Sequence, residues 1–350
     1  MAMTAAAFPP PITCPSSLIA SCAPLLGFVP DNSLVVFIHA VPGRRSPVVL
    51  RVDLPSPERA EWAAAQTTQS ICGTHGAAVD TVAWVGARDD DGRDDVPCAP
   101  FLAALARHLG AAGVEVGAML STNGSVWWSH VCTDPACCPA DATPVDTPTV
   151  DAVRAEYVFA GVAPLPSREE LADSVARDHR RAASVAESLA TGRPNPTERW
   201  RDTSIRFLTD LLLSTDSCND GPRVLSSASA ARALRALDDI RVRDVVLRRV
   251  VVSQRTCPAC WSATIETLSD LLRAAPAGST APVATILALV AWMRGEGALA
   301  SVSLDRAGED PAYRLAELTT QLIARGTDPR IWRDSLSTLS ESECRNPSGR

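Results

Sequence analysis

Five short runs rich in β-branched and aromatic residues fall within the first 131 positions, at 34–38, 48–52, 81–85, 114–120 and 125–131. Runs of this length bounded by turn residues read as strands. Pro42-Gly43 between the first two predicts a hairpin with a longer loop, and Asn123-Gly124 between the last two is a stronger hairpin signal. Between these pairs, Pro57 opens a helical pattern that runs to about residue 70. A second runs from about 99 to 110 and stops near Gly110 and Gly113. Strands interleaved with helices predict an α/β domain with a mixed sheet, placed at 13–165.

Beyond residue 165 the patterning is helical. Just before the change, Thr149 is positioned to cap a helix whose Val153, Tyr157 and Val158 share a face and which stops at Gly161. Ser167-x-x-Glu170 then has the form of a capping box, followed by Leu171, Val175, Ala182, Ala186 and Leu189 on one helical stripe. Val283, Ile286, Leu287 and Val290 follow the i, i+3, i+4, i+7 pattern, and Arg294-Gly295-Glu296-Gly297 breaks it. A second helix over 298–307 and a third from Pro311, bearing Leu315, Leu318, Leu322 and Ile323, complete a set that resembles one tetratricopeptide-type unit. Gly326 and Pro329 end the third helix in the expected order. The reading is therefore a mainly helical domain over 166–335 with a tetratricopeptide-like hairpin. The polar, Ser-rich stretch 336–350 reads as a mobile tail.

A chain of 350 residues, 46% hydrophobic and 21% charged, can bury two cores of ordinary size. Its basic residues are all Arg and its formal charge is -7. Wholesale nucleic-acid wrapping is disfavoured, because phosphate binding relies on clustered positive charge. The six Arg between Arg232 and Arg249 alternate with Asp238, Asp239 and Asp244, a mixture that fits solvated helix faces. The sequence contains no 18-residue apolar run, which argues against a membrane span. Ile19-Ala20-Ser21-Cys22 imitates the box before a lipid-modified cysteine. No positive region precedes it, however, and Pro9, Pro10, Pro11 and Pro15 interrupt the segment, so a buried stretch leading into the first strand is expected. Eleven cysteines spread through a chain of this size point to reduced thiols and a cytoplasmic protein.

Reactive side chains concentrate in one passage, Trp127-Trp128-Ser129-His130-Val131-Cys132, which runs into Cys137-Cys138-Pro139. Zinc takes four thiolate or imidazole ligands, and Cys132, Cys137 and Cys138 could join Cys257 and Cys260 of a Cys-x2-Cys pair in such a site. Small buried thiols and a Pro-bounded turn are the plainer reading. A redox role for Cys257 and Cys260 lacks the β-strand that should precede it. His130, two residues before Cys132 on a strand, is the one histidine positioned as a candidate ligand. Arg51 and Asp53 share a face at a strand end, where α/β proteins bind ligands, although a strand-edge salt bridge accounts for them as well. Phosphate-loop, dinucleotide, nucleophile-elbow and His-Glu-x-x-His signatures are all absent.

Several phrases occur together and in order. They are Leu18-Ile19-Ala20, Leu25-Leu26-Gly27-Phe28, Pro30-Asp31-Asn32-Ser33-Leu34-Val35-Val36 and Arg51-Val52-Asp53-Leu54-Pro55. After them come Trp128-Ser129, the Cys132 to Pro139 loop, Gly161 with Pro164 to Arg168, Arg241-Val242-Arg243-Asp244, and Ala291-Trp292 to Gly297-Ala298. In this order the chain resembles an actinobacterial family catalogued as domain of unknown function 4192, over roughly residues 13 to 335. That resemblance implies no activity. Together the observations favour a non-catalytic binding or scaffold protein that recognises a protein partner through its helical region. The alternative is an enzyme with a site at the sheet edge near Arg51, Asp53 and the Cys132 loop, with zinc as its one candidate cofactor.

Overall fold

The computed structural model describes residues 11–39, 41, 47–86, 98–132, 134, 136, 138, 142–191, 195–213, 224–253, 260–310 and 312–346. The chain divides into two compact units, 1–170 with 324–326, and 171–323 with 327–350.

The first unit opens with helix α1 (Pro15–Leu26). Cys14 and Ser17 cap it reciprocally, Pro15 occupies its first turn, and Gly27 ends it at φ 83. Strands β1 (Ser33–His39) and β2 (Val48–Asp53) follow, then a 3-10 turn (Pro57–Arg59) leading into α2 (Ala60–Gly73). Next come β3 (Ala78–Trp84), α3 (Ala99–Ala111), β4 (Glu115–Thr122), β5 (Val126–Ser129), β6 (Thr143–Pro144) and α4 (Thr147–Phe159). The sheet runs β2-β1-β3-β4-β5-β6. Among the described residues of this sheet only β3 and β4 are parallel, joined through the α3 crossover, while β1 is antiparallel to both its neighbours. The expected α/β class with a mixed sheet is what the chain adopts.

Strand β1 reads as a continuous apolar run because both of its faces are covered. Leu34, Val36 and Ile38 pack with Ala64 and Ile71 of α2 and Phe101, Leu102 and Leu105 of α3. Val35 and Phe37 pack with Leu18, Ile19 and Cys22 of α1 on the other side. Helix α4 lies against α1, with Val150, Val153 and Tyr157 around Ala20. Its cap differs from the expected one. Asp146, not Thr149, is the N-cap and accepts from the Thr149 amide at 3.1 Å, because Pro148 already occupies the first turn. Val158 leaves the buried face and is 62% exposed.

Helix α5 (Arg168–Ser174) and helix α6 (His179–Ala190) replace the single helix expected from 167 onward. Ser167 Oγ does accept from the Glu170 amide at 3.2 Å, but Asp178 starts a new helix by accepting from the Arg181 amide at 3.0 Å. The second unit continues with α7 (Glu198–Leu213), α8 (Ser227–Asp238), α9 (Ile240–Ser253), α10 (Cys260–Arg273), α11 (Ala281–Arg294) and α12 (Gly297–Ala307). Helices α13 (Arg314–Ala324), α14 (Pro329–Thr338) and α15 (Glu341–Arg345) complete it.

Helix α11 is the centre of this unit. Every residue from Ala281 to Trp292 is buried, so the expected single apolar face is in fact buried on all sides. The Asp310 carboxylate satisfies its entry, accepting from the amides of Gly278 at 2.7 Å, Thr280 at 2.6 Å and Ala281 at 2.8 Å. The stretch read as a mobile tail carries structure up to Asn346. Cys344 is 5% exposed in the core, and Glu341 meets Arg249 through two bonds of 2.7 and 2.9 Å. Ser340 caps α15, accepting from the Glu343 amide.

Candidate functional site

Trp127, Trp128 and Ser129 lie on β5, and the residues to Cys132 continue from it. Trp127 packs into the core on the α1 side of the sheet, while Trp128, one residue on, faces the opposite side. The Ser129 hydroxyl accepts from the Cys132 amide at 3.2 Å. His130 continues the ladder by donating its amide to the Met119 carbonyl at 2.8 Å, and its Nε2 lies 2.8 Å from Ser121 Oγ. Asp134 then shapes a turn in which its carbonyl accepts from the Cys138 amide and its carboxylate from the Ala136 amide.

Ser121 was not legible as a site residue, because it stands nine positions from His130 across the Asn123-Gly124 hairpin. Register brings them together: Ser121 pairs with Trp128 on β5 and with Ala83 on β3. All four lie on the face that carries α2 and α3, as does Thr81, two residues before Ala83. Ser121 and Thr81 are completely buried and Trp128 is 5% exposed. The Trp128 indole N–H and the Thr81 hydroxyl have no hydrogen-bond partner. Buried polar atoms are nearly always paired. Thr68, Trp84 and Tyr157 of this unit also carry unpaired buried atoms, and what distinguishes the patch is that its two orphans lie on the same sheet face as a Ser–His contact.

The patch sits at the carboxyl ends of the parallel strands β3 and β4, where open α/β sheets place their ligands. The α3 crossover points its amino terminus to the same end, and Cys98 at its N-cap makes no side-chain cap bond. A second polar pair lies towards the other end of these strands. His39 Nε2 is 2.9 Å from Asp80 Oδ2, and Asp80 Oδ1 accepts from the Ala118 amide at 2.6 Å, beside a register shift in β3. Gly117 leaves the room this needs, since a Cβ there would stand 2.6 Å from Asp80 Oδ1.

Arg51 and Asp53 lie on the edge strand β2, where Arg51 pairs with Asp53 at 2.6 Å and donates to Ser33 Oγ at 2.9 Å. Strands β1, β3 and β4 separate them from β5 and Cys132. At about 4.8 Å per strand, four spacings put the two groups on the order of 19 Å apart, so no single cleft of ordinary size gathers them. Cys132 and Cys138 are half-buried in the α/β unit. Cys260 opens α10 of the helical unit, while Cys137, Cys257 and the Cys260 side chain lie outside the described residues. Among the described residues no group of three His, Cys, Asp or Glu could hold a metal ion. Cys22 is fully buried in α1, and burial pushes its thiol up to about 12.

The arginines of 232–249 are solvated only in part: Arg232 and Asp238 are exposed as expected, whereas Arg235, Arg241, Arg243, Arg248 and Arg249 are half-buried. Arg243 donates to Tyr313 Oη at 2.6 Å and pairs with Asp244, Arg249 holds Glu341, and Arg232 stacks over Phe207 at 4.0 Å. These guanidinium groups are committed to structural contacts within the helical unit.

A family model described as Domain of unknown function (DUF4192) matches residues 15–330. The chain belongs to the DUF4192 family. Comparison with curated proteins and with solved structures gives no match for it. The phrases that carried the resemblance have structural roles in this DUF4192 chain. Leu25-Leu26-Gly27-Phe28 is the end of α1, with Phe28 bridging to Leu165, and Arg241 to Asp244 lies in α9. Ala291-Trp292 to Gly297-Ala298 is the turn between α11 and α12, where Gly295 takes φ 96 and Glu296 donates its amide to the Ala291 carbonyl at 2.8 Å. Among the described residues, no helix is long and apolar enough to cross a membrane.

Proposed function

We propose that this DUF4192 chain is a binding or scaffold protein that recognises a protein partner through the outer helices of its helical unit, α13 and α14. The observation that carries the reading is incomplete apolar cover. Leu318 on α13 is 40% exposed and Ile331 on α14 is 61% exposed. Around them Leu315, Leu322, Ile323 and Trp332 are only partly buried against the core. In neither helix is any large apolar side chain fully buried, whereas α11 is buried from Ala281 to Trp292. Apolar surface left open on consecutive helices is the feature by which helical proteins take partners. Residues 283–292 of α11 lie inside the core and contribute nothing to this surface.

A photo-reactive residue placed at Leu318 or Ile331, and separately at the exposed Glu187 on α6, tests this in cells. The reading expects one discrete adduct from the first two positions and none from Glu187. Equal adduct patterns from all three positions would refute it.

A further inference from the structure

We propose that Ser121 and His130 form a nucleophile and base for acyl transfer in the α/β unit, acting on a small ester. This concerns the opposite unit from the partner surface and does not rest on it. It also lies away from the Arg51–Asp53 edge pair. The 2.8 Å contact between Ser121 Oγ and His130 Nε2 is within the reach needed for proton transfer between a hydroxyl nucleophile and an imidazole base. Ser121 is completely buried, and His130, half-buried, is the more exposed member of the pair. A buried site keeps water from the serine until an acyl group arrives.

The unpaired donors supply what a Ser–His pair alone lacks. Trp128 stands directly across from Ser121 in register, with Cβ atoms about 5 Å apart in such pairs, and its indole N–H can only donate. Buried without a partner, it calls for an acceptor such as a carbonyl oxygen. The Thr81 hydroxyl, diagonal to Ser121 on β3, provides a second polar contact on the same face. The α3 amino terminus at the same end favours negative charge developing there.

With its proton on Nδ1, His130 Nε2 takes the Ser121 hydroxyl proton as Oγ bonds to the ester carbonyl carbon. The carbonyl electron pair moves onto oxygen, where the Trp128 N–H meets it. Collapse restores the carbonyl, breaks the bond to the alcohol oxygen, and returns the His130 proton to that oxygen. The acyl group then rests on Ser121 Oγ. Water attacks by the same route, giving the carboxylic acid and free serine.

The full-length chain is treated with a fluorophosphonate, which reacts with activated serines, and adducts are located by peptide mass spectrometry. The expected result is a single adduct on Ser121, lost in Ser121→Ala and formed roughly 10²-fold or more slowly in His130→Gln. Trp128→Phe should slow it less, with the circular dichroism of both variants unchanged. The folded His130→Gln protein keeps the test decisive if Ser121→Ala does not fold. No adduct on the native chain, an adduct elsewhere, or equal rates for native and His130→Gln proteins would overturn the proposal.

Discussion

Strand β1 over Ser33–Ile38 and helix α11 over Ala281–Trp292 are both buried, yet they are finished in different ways. From Ser33 to Ile38, β1 finds its backbone partners in β2 on one side and β3 on the other. Its side chains alternate between two cores, so Leu34, Val36 and Ile38 serve one and Val35 and Phe37 the other. Helix α11 satisfies its own interior bonds but leaves its first amides bare, as every helix does. In the middle of a core those amides need a partner from elsewhere, and Asp310, 30 positions on, supplies it. A buried strand is completed by its neighbours in the sheet, whereas a buried helix depends on single residues at its ends.

Four substitutions test this contrast. The largest effect is expected from Phe37→Ala, which empties part of the α1 side of the sheet. It should cost about 4 kcal/mol in urea unfolding. Asp310→Ala should cost about 3 kcal/mol, because the amides of Gly278 in the preceding turn, of the N-cap Thr280 and of Ala281 at the start of α11 lose a charged acceptor at once. A loss below about 1 kcal/mol would show that α11 does not depend on that one residue. Asp80→Ala is expected to cost about 1 to 2 kcal/mol and to speed amide hydrogen exchange at Ala118, since the sheet keeps its other ladder bonds.

The smallest effect is expected from Glu341→Gln, worth about 1 kcal/mol or less, because this carboxylate is partly open to solvent. Its sign with pH is definite. The Arg249 hydrogen bond holds Glu341 below the usual carboxylate range in the folded chain. Stability from this pair is therefore present above the unfolded carboxyl value and is lost as pH falls through the lower folded one. The native protein should lose more stability than the variant on acidification. Parallel curves would show that the pair contributes nothing to holding α15.

Much of the fold was legible because strands and turns announce themselves locally. Asn123-Gly124 marked the hairpin, and Gly124 adopts φ 91 as such a turn requires. The runs at 34–38 and 48–52 became β1 and β2 with little change at their ends. What escaped depends on partners far along the chain. The Asp178 cap divides what a stripe of apolar residues presented as one helix. Cys344 and Glu341 look like a polar tail until α9 offers Arg249 and a seat in the core. At the candidate site His130 stood out within a distinctive passage, but Ser121 is an ordinary strand serine until register sets it beside His130. Thr81 and Trp128 matter because they lack partners, which no sequence pattern reveals.

The open apolar surface of α13 and α14 separates the helical unit's edge from its sealed centre, and partner recognition there is the central functional claim. Its most direct test is hydrogen exchange of the full chain, alone and with the protein captured by the Leu318 cross-link. Slowed exchange is expected to concentrate in residues 314–338 and to weaken in Leu318→Asp. Protection confined to other helices, or none on complex formation, would contradict it.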